Sequence, residues 1–190
     1  LTAYPLILAS TSPFRRELLA RLQIPFTVED PGFVEAAAGS MPAHELVRHN
    51  TLGKARAVAS RHPEACVVAS DQIAVCGDTI LGKPGSAEQA CRQLAVLSGR
   101  TVDFLTGLAI LSPDAQHYET VAYRVVFRTL SRHEIRTYVD RDRPLHCAGS
   151  FKAESLGISL FERMEGEDPT ALIGLPLIRL SAWLRPLQRA

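Results

Sequence analysis

Leu6-Ile7-Leu8-Ala9-Ser10-Thr11-Ser12-Pro13-Phe14-Arg15-Arg16-Glu17-Leu18-Leu19 runs from an apolar strand pattern through small hydroxyl residues into a helix pattern that begins with two arginines. The first backbone N–H groups of a helix have no intrahelical partner, and the helix dipole puts partial positive charge at that end. Ser12 suits the N-cap and Pro13 the first helical position. Arg15 and Arg16 oppose the dipole there, so two adjacent cations point to an anion, and guanidinium meets phosphate oxygens in a bidentate fashion. The alternative reading of this stretch is an amphipathic helix with solvated arginines.

Working outward, Pro5–Ala9 and Ala65–Ala69 are continuous apolar runs, the pattern of strands covered on both faces. Helices are predicted over Pro13–Leu22, over Pro42–Arg61 after the Ser40-Met41-Pro42 break, and over Leu177–Leu184. Capping boxes at Ser86-Ala87-Glu88-Gln89 and Ser131-Arg132-His133-Glu134 open helices to about Leu97 and Val139. Val102–Leu111 and Tyr118–Leu130 flank Ser112-Pro113-Asp114-Ala115-Gln116 as a hairpin, and Gln72–Val75 with Thr79–Leu81 form a shorter one around Cys76-Gly77-Asp78. The reading is an α/β fold with a mixed, largely parallel central sheet flanked by helices, in a single domain over residues 1–190.

The composition narrows the function. A chain of 190 residues with 46% hydrophobic content can close one core. Lys+Arg of 21 against Asp+Glu of 20 leaves a net charge of +1, without the clustered basic excess or interleaved aromatics of a nucleic-acid binder. Cys66, Cys76, Cys91 and Cys147 have neither zinc-site spacing nor the density of a disulfide scaffold, and the six histidines show no metal-ligand spacing. Reduced thiols, no membrane span and no signal pattern make a soluble cytoplasmic chain the expectation.

Several polar residues interrupt apolar context. Val67-Val68-Ala69-Ser70-Asp71-Gln72 reads as a buried strand ending on a carboxylate, and ligands in open α/β sheets sit at the carboxyl ends of strands. Asp71 is therefore the candidate catalytic residue, able to accept a proton from water or to bind a divalent cation. The other reading makes it a turn or cap residue. Lys83, between Gly82 and Pro84, has a restricted backbone that aims its ammonium. Lys54 and Glu35, each taken alone, read as surface residues. Cys147-Ala148-Gly149-Ser150-Phe151-Lys152-Ala153-Glu154-Ser155-Leu156-Gly157 is rich in small residues that let backbone approach a ligand, or make a tight connection.

Taken in order, Leu8-Ala9-Ser10-Thr11-Ser12-Pro13-Phe14-Arg15-Arg16, Glu35, Lys54, Ser70-Asp71-Gln72, Gly82-Lys83-Pro84, Ala148-Gly149-Ser150-Phe151-Lys152-Ala153-Glu154 and Gly174-Leu175-Pro176-Leu177 resemble the Maf-like nucleoside triphosphate pyrophosphatases over nearly the whole chain. Phe14, Gln72 and Glu154, with Leu145–Lys152, look like the 7-methyl-GTP branch, whereas the dTTP/UTP branch carries Arg, Thr and Gln at those three positions. The resemblance implies two lobes around a nucleotide cleft, often a homodimer, and hydrolysis of a nucleoside triphosphate to monophosphate and pyrophosphate with Mg²⁺ or Mn²⁺, a house-cleaning of non-standard nucleotides. It assigns proton acceptance to Asp71, substrate specificity to Phe14, Gln72 and Glu154, and the phosphate pocket to Ser10, Arg15, Lys54 and Lys83. It places the metal on Glu35 and Asp71. The family frequently has an Asp-Glu pair where this chain has Val34-Glu35, so one carboxylate is missing.

For the base, a cationic 7-methylguanine suits the face of Phe14, and a buried Glu154 carboxylate suits guanine's N1–H and amino donors. Stranding that carboxylate would then reject a pyrimidine. Gln72 can offer a donor or an acceptor. The rival reading is a nucleotide-binding, cell-division regulatory module with little or no turnover, which shares the phosphate contacts but has no need of Asp71 beside a second carboxylate.

Overall fold

Strand β1, Leu6–Ala9, is buried along its whole length and pairs in parallel with β2, Thr27–Glu29, and β3, Cys66–Cys76, in register Leu6 to Cys66 and Leu8 to Val68. The computed structural model describes residues 4–187. The remaining strands are β4 (Thr79–Leu81), β5 (Thr101–Leu111), β6 (Gln116–Phe127) and β7 (Phe161–Glu165), and the sheet order is β2-β1-β3-β5-β6-β7 with β4 antiparallel on β3. The helices are α1 (Pro13–Ala20), α2 (Ala43–Ala59), α3 (Ala87–Leu97), α4 (Arg132–Asp142), α5 (Pro169–Ile173) and α6 (Leu177–Leu184). Among the described residues no helix is long and apolar enough to cross a membrane.

The described residues divide into two compact units: residues 4–72, 106–121 and 168–187 form the first, and Ile73–Leu105 with Ala122–Glu167 the second. Strands β3, β5 and β6 contribute residues to both.

In the first unit the two-residue period of the strands sorts side chains onto two cores. Leu6, Leu8, Cys66, Val68, Leu108 and Ile110 pack with Leu18 and Leu19 of α1 and Leu177, Leu180 and Leu184 of α6. Ile7, Ala9, Val67, Ala69 and Ala109, from the alternate positions, pack with Ala55 and Val58 of α2. Small residues dominate this second face and let α2 come close. A Cβ built on Gly107 would stand 2.2 Å from Thr51 Oγ1 and 3.2 Å from the Val47 carbonyl oxygen, so only glycine fits under the helix there. The core of the second unit is aromatic: Phe151 meets Phe104, Phe127 and Phe161 edge-on at ring separations of 5.2, 5.5 and 4.8 Å.

Local signals place most boundaries. Ser12 caps α1 by accepting from the Arg15 N–H, with Pro13 at the first position, and Ser131 with Glu134 forms the complete reciprocal box of α4. At α3 only half of the expected box forms, because the Gln89 side-chain oxygen is engaged by Arg92 Nε at 2.8 Å. The larger correction concerns Asp71. The strand expected to end there continues to Cys76, because Ala74, Val75 and Cys76 pair with Leu81, Ile80 and Thr79 of β4, so Asp71 lies within a strand. Strands β2 and β7 and the five-residue α5 have no counterpart in the sequence reading; the two strands are short and largely exposed, with little apolar periodicity to mark them.

Candidate active site

The parity that sorts the core also sorts the polar residues of β3. Asp71 shares the face of Val67 and Ala69 and points toward α2, whereas Ser70 and Gln72 share the face of Cys66 and Val68.

On the α2 face, Lys54 Nζ lies 2.7 Å from Asp71 Oδ1 and 2.5 Å from Glu35 Oε1. The Lys54 and Asp71 side chains are each 8% exposed, and Glu35 is 47% exposed. Lys54 is thus no surface residue: small strand residues seat its helix against the sheet and bury its stem, while the ammonium is satisfied by carboxylates. Glu35 does remain partly in solvent. One turn before Lys54, Asn50 donates from Nδ2 to Asp71 Oδ2 at 3.3 Å and accepts the Ala36 N–H on Oδ1 at 2.9 Å. The segment bearing Glu35 is seated by Phe33, whose ring covers Gly53; a Cβ on Gly53 would fall 2.2 Å from that ring. Val34 is 89% exposed, so position 34 faces solvent while its neighbour Glu35 reaches Lys54.

On the opposite face, Arg15 donates from Nε to the Gly174 carbonyl at 2.9 Å, and the Ser70 hydroxyl approaches the same oxygen at 2.8 Å and the Gly107 carbonyl at 2.7 Å. Burial draws the Arg15 guanidinium below its ordinary value, and the negative charges of Asp71 and Glu35 oppose that shift. The cation that opposes the α1 dipole therefore has a carbonyl and two carboxylates nearby, while Arg16 is exposed. Ser10 is buried and its Oγ accepts the Ser12 N–H at 3.1 Å, closing the turn before α1. Phe14 is half-buried in the first turn of α1.

Gln72 has a defined polarity. Its Nε2 donates to the Ala171 and Leu172 carbonyls at 2.8 and 3.0 Å and approaches Thr106 Oγ1 at 3.1 Å. Two carbonyls leave no choice of amide orientation, so Oε1 is the atom Gln72 can present to a ligand.

Lys83 and Glu154 belong to the second unit. The Lys83 loop is tied by Gln93 Nε2 donating to the Gly82 carbonyl at 3.2 Å and by the Gly85 N–H donating to the Leu145 carbonyl at 2.9 Å. Gln93 also accepts the Ser150 hydroxyl, joining the Lys83 loop to the turn in which Gly149 and Ser150 both have positive φ, 75° and 62°. Burial pushes the Cys147 thiol up to about 11; Glu154 and Asp142 act in the same direction while Lys152 and Lys83 oppose it, so Lys83 and Glu154 both act on one thiol. Glu154 is exposed in the turn over residues 153–155, contrary to the buried carboxylate that the specificity argument supposes. A turn between two short 3₁₀ segments leaves its side chain in water.

The first unit thus holds Ser10 and Arg15 at the start of α1, Glu35 in the segment before α2, Lys54 within α2, and Asp71 and Gln72 within β3, and the second holds Lys83 and Glu154. Sequence reasoning missed Asn50, Ser70, Thr106 and Gln93. For Asn50 a signal was available: Asn50 and Lys54 stand four residues apart, a polar pair on one helix face. Among the described residues no group of three or more His, Cys, Asp or Glu side chains forms a metal cage. Glu35 and Asp71 nevertheless offer hard oxygen donors, and both already converge on one positive centre, the Lys54 ammonium.

A sequence model of the family described as Maf-like protein matches residues 5–187. The chain is 52% identical over 177 residues to a 7-methyl-GTP pyrophosphatase of Pseudomonas aeruginosa, covering 92% of each chain. It is 50% identical over 182 residues to a protein of the same name from Alkalilimnicola ehrlichii, covering 95% of this chain and 92% of that one. A third, from Idiomarina loihiensis, is 48% identical over 185 residues, covering 95% and 93%.

Proposed function

The chain belongs to the Maf-like protein family, and on that premise we propose that it is a nucleotide pyrophosphatase hydrolysing 7-methyl-GTP to 7-methyl-GMP and pyrophosphate. The observation that carries the reading is the Asp71 carboxylate, buried and held on both oxygens from α2, with the Arg15 guanidinium close enough to feel its charge. A carboxylate so held cannot rotate away from its task, and its remaining lone pairs are available to a water molecule.

In the reaction, water attacks the α-phosphorus, Asp71 takes the water's proton, and the bond from the α-phosphorus to the bridging oxygen breaks to release pyrophosphate. Arg15 and Lys54, with Lys83 assigned by the family resemblance, offset charge on the phosphates. Ser10 shapes the turn that presents the first N–H groups of α1. Counting Arg15 and Lys54 against Glu35 and Asp71, this group is electrically balanced before substrate enters, so a triphosphate brings charge that these residues alone do not neutralise. Glu35 and Asp71 suit Mg²⁺ or Mn²⁺, ions that keep several waters and take few protein ligands. Such an ion supplies neutralisation of phosphate oxygens when bound.

For the base, Gln72 Oε1 is an acceptor that matches the N1–H and amino donors of guanine, and the family resemblance assigns the acceptor-only carboxylate of Glu154 to substrate specificity as well. The face of Phe14 suits a cationic purine ring. Discrimination against pyrimidines then rests on acceptors left without donors once substrate covers them, not on a carboxylate already buried in the free chain.

The test is pyrophosphate release from a panel of ordinary and modified nucleoside triphosphates with Mg²⁺, Mn²⁺ or chelator, products identified by chromatography. Metal-dependent turnover greatest on 7-methyl-GTP is expected, and Asp71→Asn should lower turnover by about two to four decades, the usual contribution of a general base, with nucleotide binding retained. Equal efficiency on UTP overturns the base assignment, and binding without turnover makes the chain a nucleotide-binding module.

A further inference from the structure

We infer that Asn50 is a positioning residue for the reaction, setting the mutual placement of Asp71 and Glu35 through the two ends of one side-chain amide; the inference rests on the hydrolytic reading above. Asn50 is 3% exposed on α2. The Ala36 backbone N–H can only donate, so the oxygen of the amide faces it, at 2.9 Å, and the NH₂ group faces Asp71 Oδ2, at 3.3 Å. Lys54, one turn along the same helix, holds Asp71 Oδ1 at 2.7 Å and Glu35 Oε1 at 2.5 Å.

The four contacts close a loop. Asp71 is gripped on one oxygen by Lys54 and on the other by Asn50, which fixes the plane of the carboxylate. Glu35 is gripped by Lys54 through its side chain and by Asn50 through the backbone of the next residue. Lys54 alone leaves both acids free to turn about a flexible four-carbon stem, whereas the short amide of Asn50 does not. Asparagine is a poor choice for a buried helical position on propensity and on transfer from water, so its two partners account for its presence.

A structural role for Asn50 and a positioning role diverge in a mutant cycle. In the positioning reading Asn50→Ser, whose hydroxyl is too short to bridge both partners, lowers kcat about ten- to a hundredfold, the range for a hydrogen bond to a charged group, with KM within about threefold. Asn50→Asp, of the same shape, keeps an acceptor for Ala36 but sets a carboxylate against Asp71 in place of a donor, and is expected to lose at least as much. Introduced into the Asp71→Asn chain, either substitution should lower the residual kcat no further, because the group through which Asn50 acts is gone. Thermal midpoints read alongside report any shared loss of stability.

Unchanged kcat in both single variants overturns the inference, as does a loss in the Asp71→Asn chain equal to that in the unaltered chain. Those outcomes leave the hydrolytic reading standing if Asp71→Asn is itself slow. An Asp71→Asn chain as fast as the unaltered one removes the assignment of Asp71 and the role of Asn50 with it.

Discussion

Replacing Lys54 by Met tests whether the two carboxylates depend on one ammonium. The side chains of Lys54 and Asp71 are each 8% exposed and meet at 2.7 Å, so the substitution leaves Asp71 buried with the Asn50 amide at 3.3 Å as its remaining donor from α2. Stranding one member of a buried pair costs about 3 to 5 kcal/mol. The contact with Glu35, whose side chain is 47% exposed, adds about 0 to 1 kcal/mol because solvent screens it. For a chain of this size each kcal/mol lowers the midpoint by about 2 to 4 °C, so Lys54→Met should melt roughly 6 to 20 °C lower. Methionine preserves most of the stem, so the loss is electrostatic and not a cavity. The second arm carries the argument. Lys54→Met with Asp71→Asn removes both charges, and replacing a buried pair by uncharged groups is far milder than breaking it. The double variant should therefore recover about 2 kcal/mol or more relative to the sum of the singles, read from urea unfolding at neutral pH. A Lys54→Met chain within about 1 kcal/mol of the unaltered protein, or strictly additive singles, refutes the claim that this pair is coupled in the interior.

Gly107→Ala places a methyl 2.2 Å from Thr51 Oγ1 and should destabilise by about 1 to 3 kcal/mol, the range for overpacking, with Thr51→Ala in the same chain restoring much of the loss; equal melting of the single and double variants speaks against close packing of α2 on β5. Burial holds both Cys66 and Cys147 up to about 11, which leaves about a thousandth of each as thiolate at pH 8, so both should alkylate slowly in the native chain. Glu154→Gln removes one of the influences raising the Cys147 thiol and should speed its labelling relative to Cys66, read by mass spectrometry of the tryptic peptides; an unchanged ratio rejects the proximity of Glu154 to Cys147. The hydrogen bond from Arg61, opposed by burial and aided by His62, holds the Glu29 carboxyl below its ordinary 4.5. A depressed folded value means that Glu29 stabilises above 4.5 and that the contribution is lost as pH falls through the lower, folded value. Glu29→Gln should accordingly unfold at lower urea than the parent at pH 7 and at nearly equal urea at pH 2, and a gap that does not close in acid refutes the linkage.

Much of this protein is legible one turn at a time. Ser12-Pro13 and Ser131 with Glu134 fix where α1 and α4 begin, because the groups that satisfy a helix end are chemical neighbours in sequence. The apolar runs at Leu6–Ala9 and Cys66–Ala69 announce buried strands because a run without polar relief requires cover on both faces. The ordered motifs likewise identify the family, since several short patterns in a fixed order are far more specific than any one of them. What sequence could not supply is which residues meet. Lys54 and Glu35 look like surface residues until Gly53 seats Phe33, and the glycine of β5 brings α2 down onto the sheet; those contacts span long stretches of chain and obey shape, not local preference. The charge of Asp71 interrupts an apolar run and reads as a strand end, whereas the buried run and the first arm of the short hairpin with β4, which sequence indicates as separate pieces, form one strand whose two-residue period turns Asp71 toward α2. The direction of the Gln72 amide was settled only by the carbonyls of Ala171 and Leu172, about a hundred residues away along the chain, because an amide can face either way until a partner chooses. Sequence by itself therefore determined the longer elements, the family and the kinds of chemistry available, while tertiary structure decided which charges are buried, which partners hold them and which atoms remain for a ligand. Local propensity acts within a few residues, and the desolvation and hydrogen bonding that shape a site act between residues that only folding brings together.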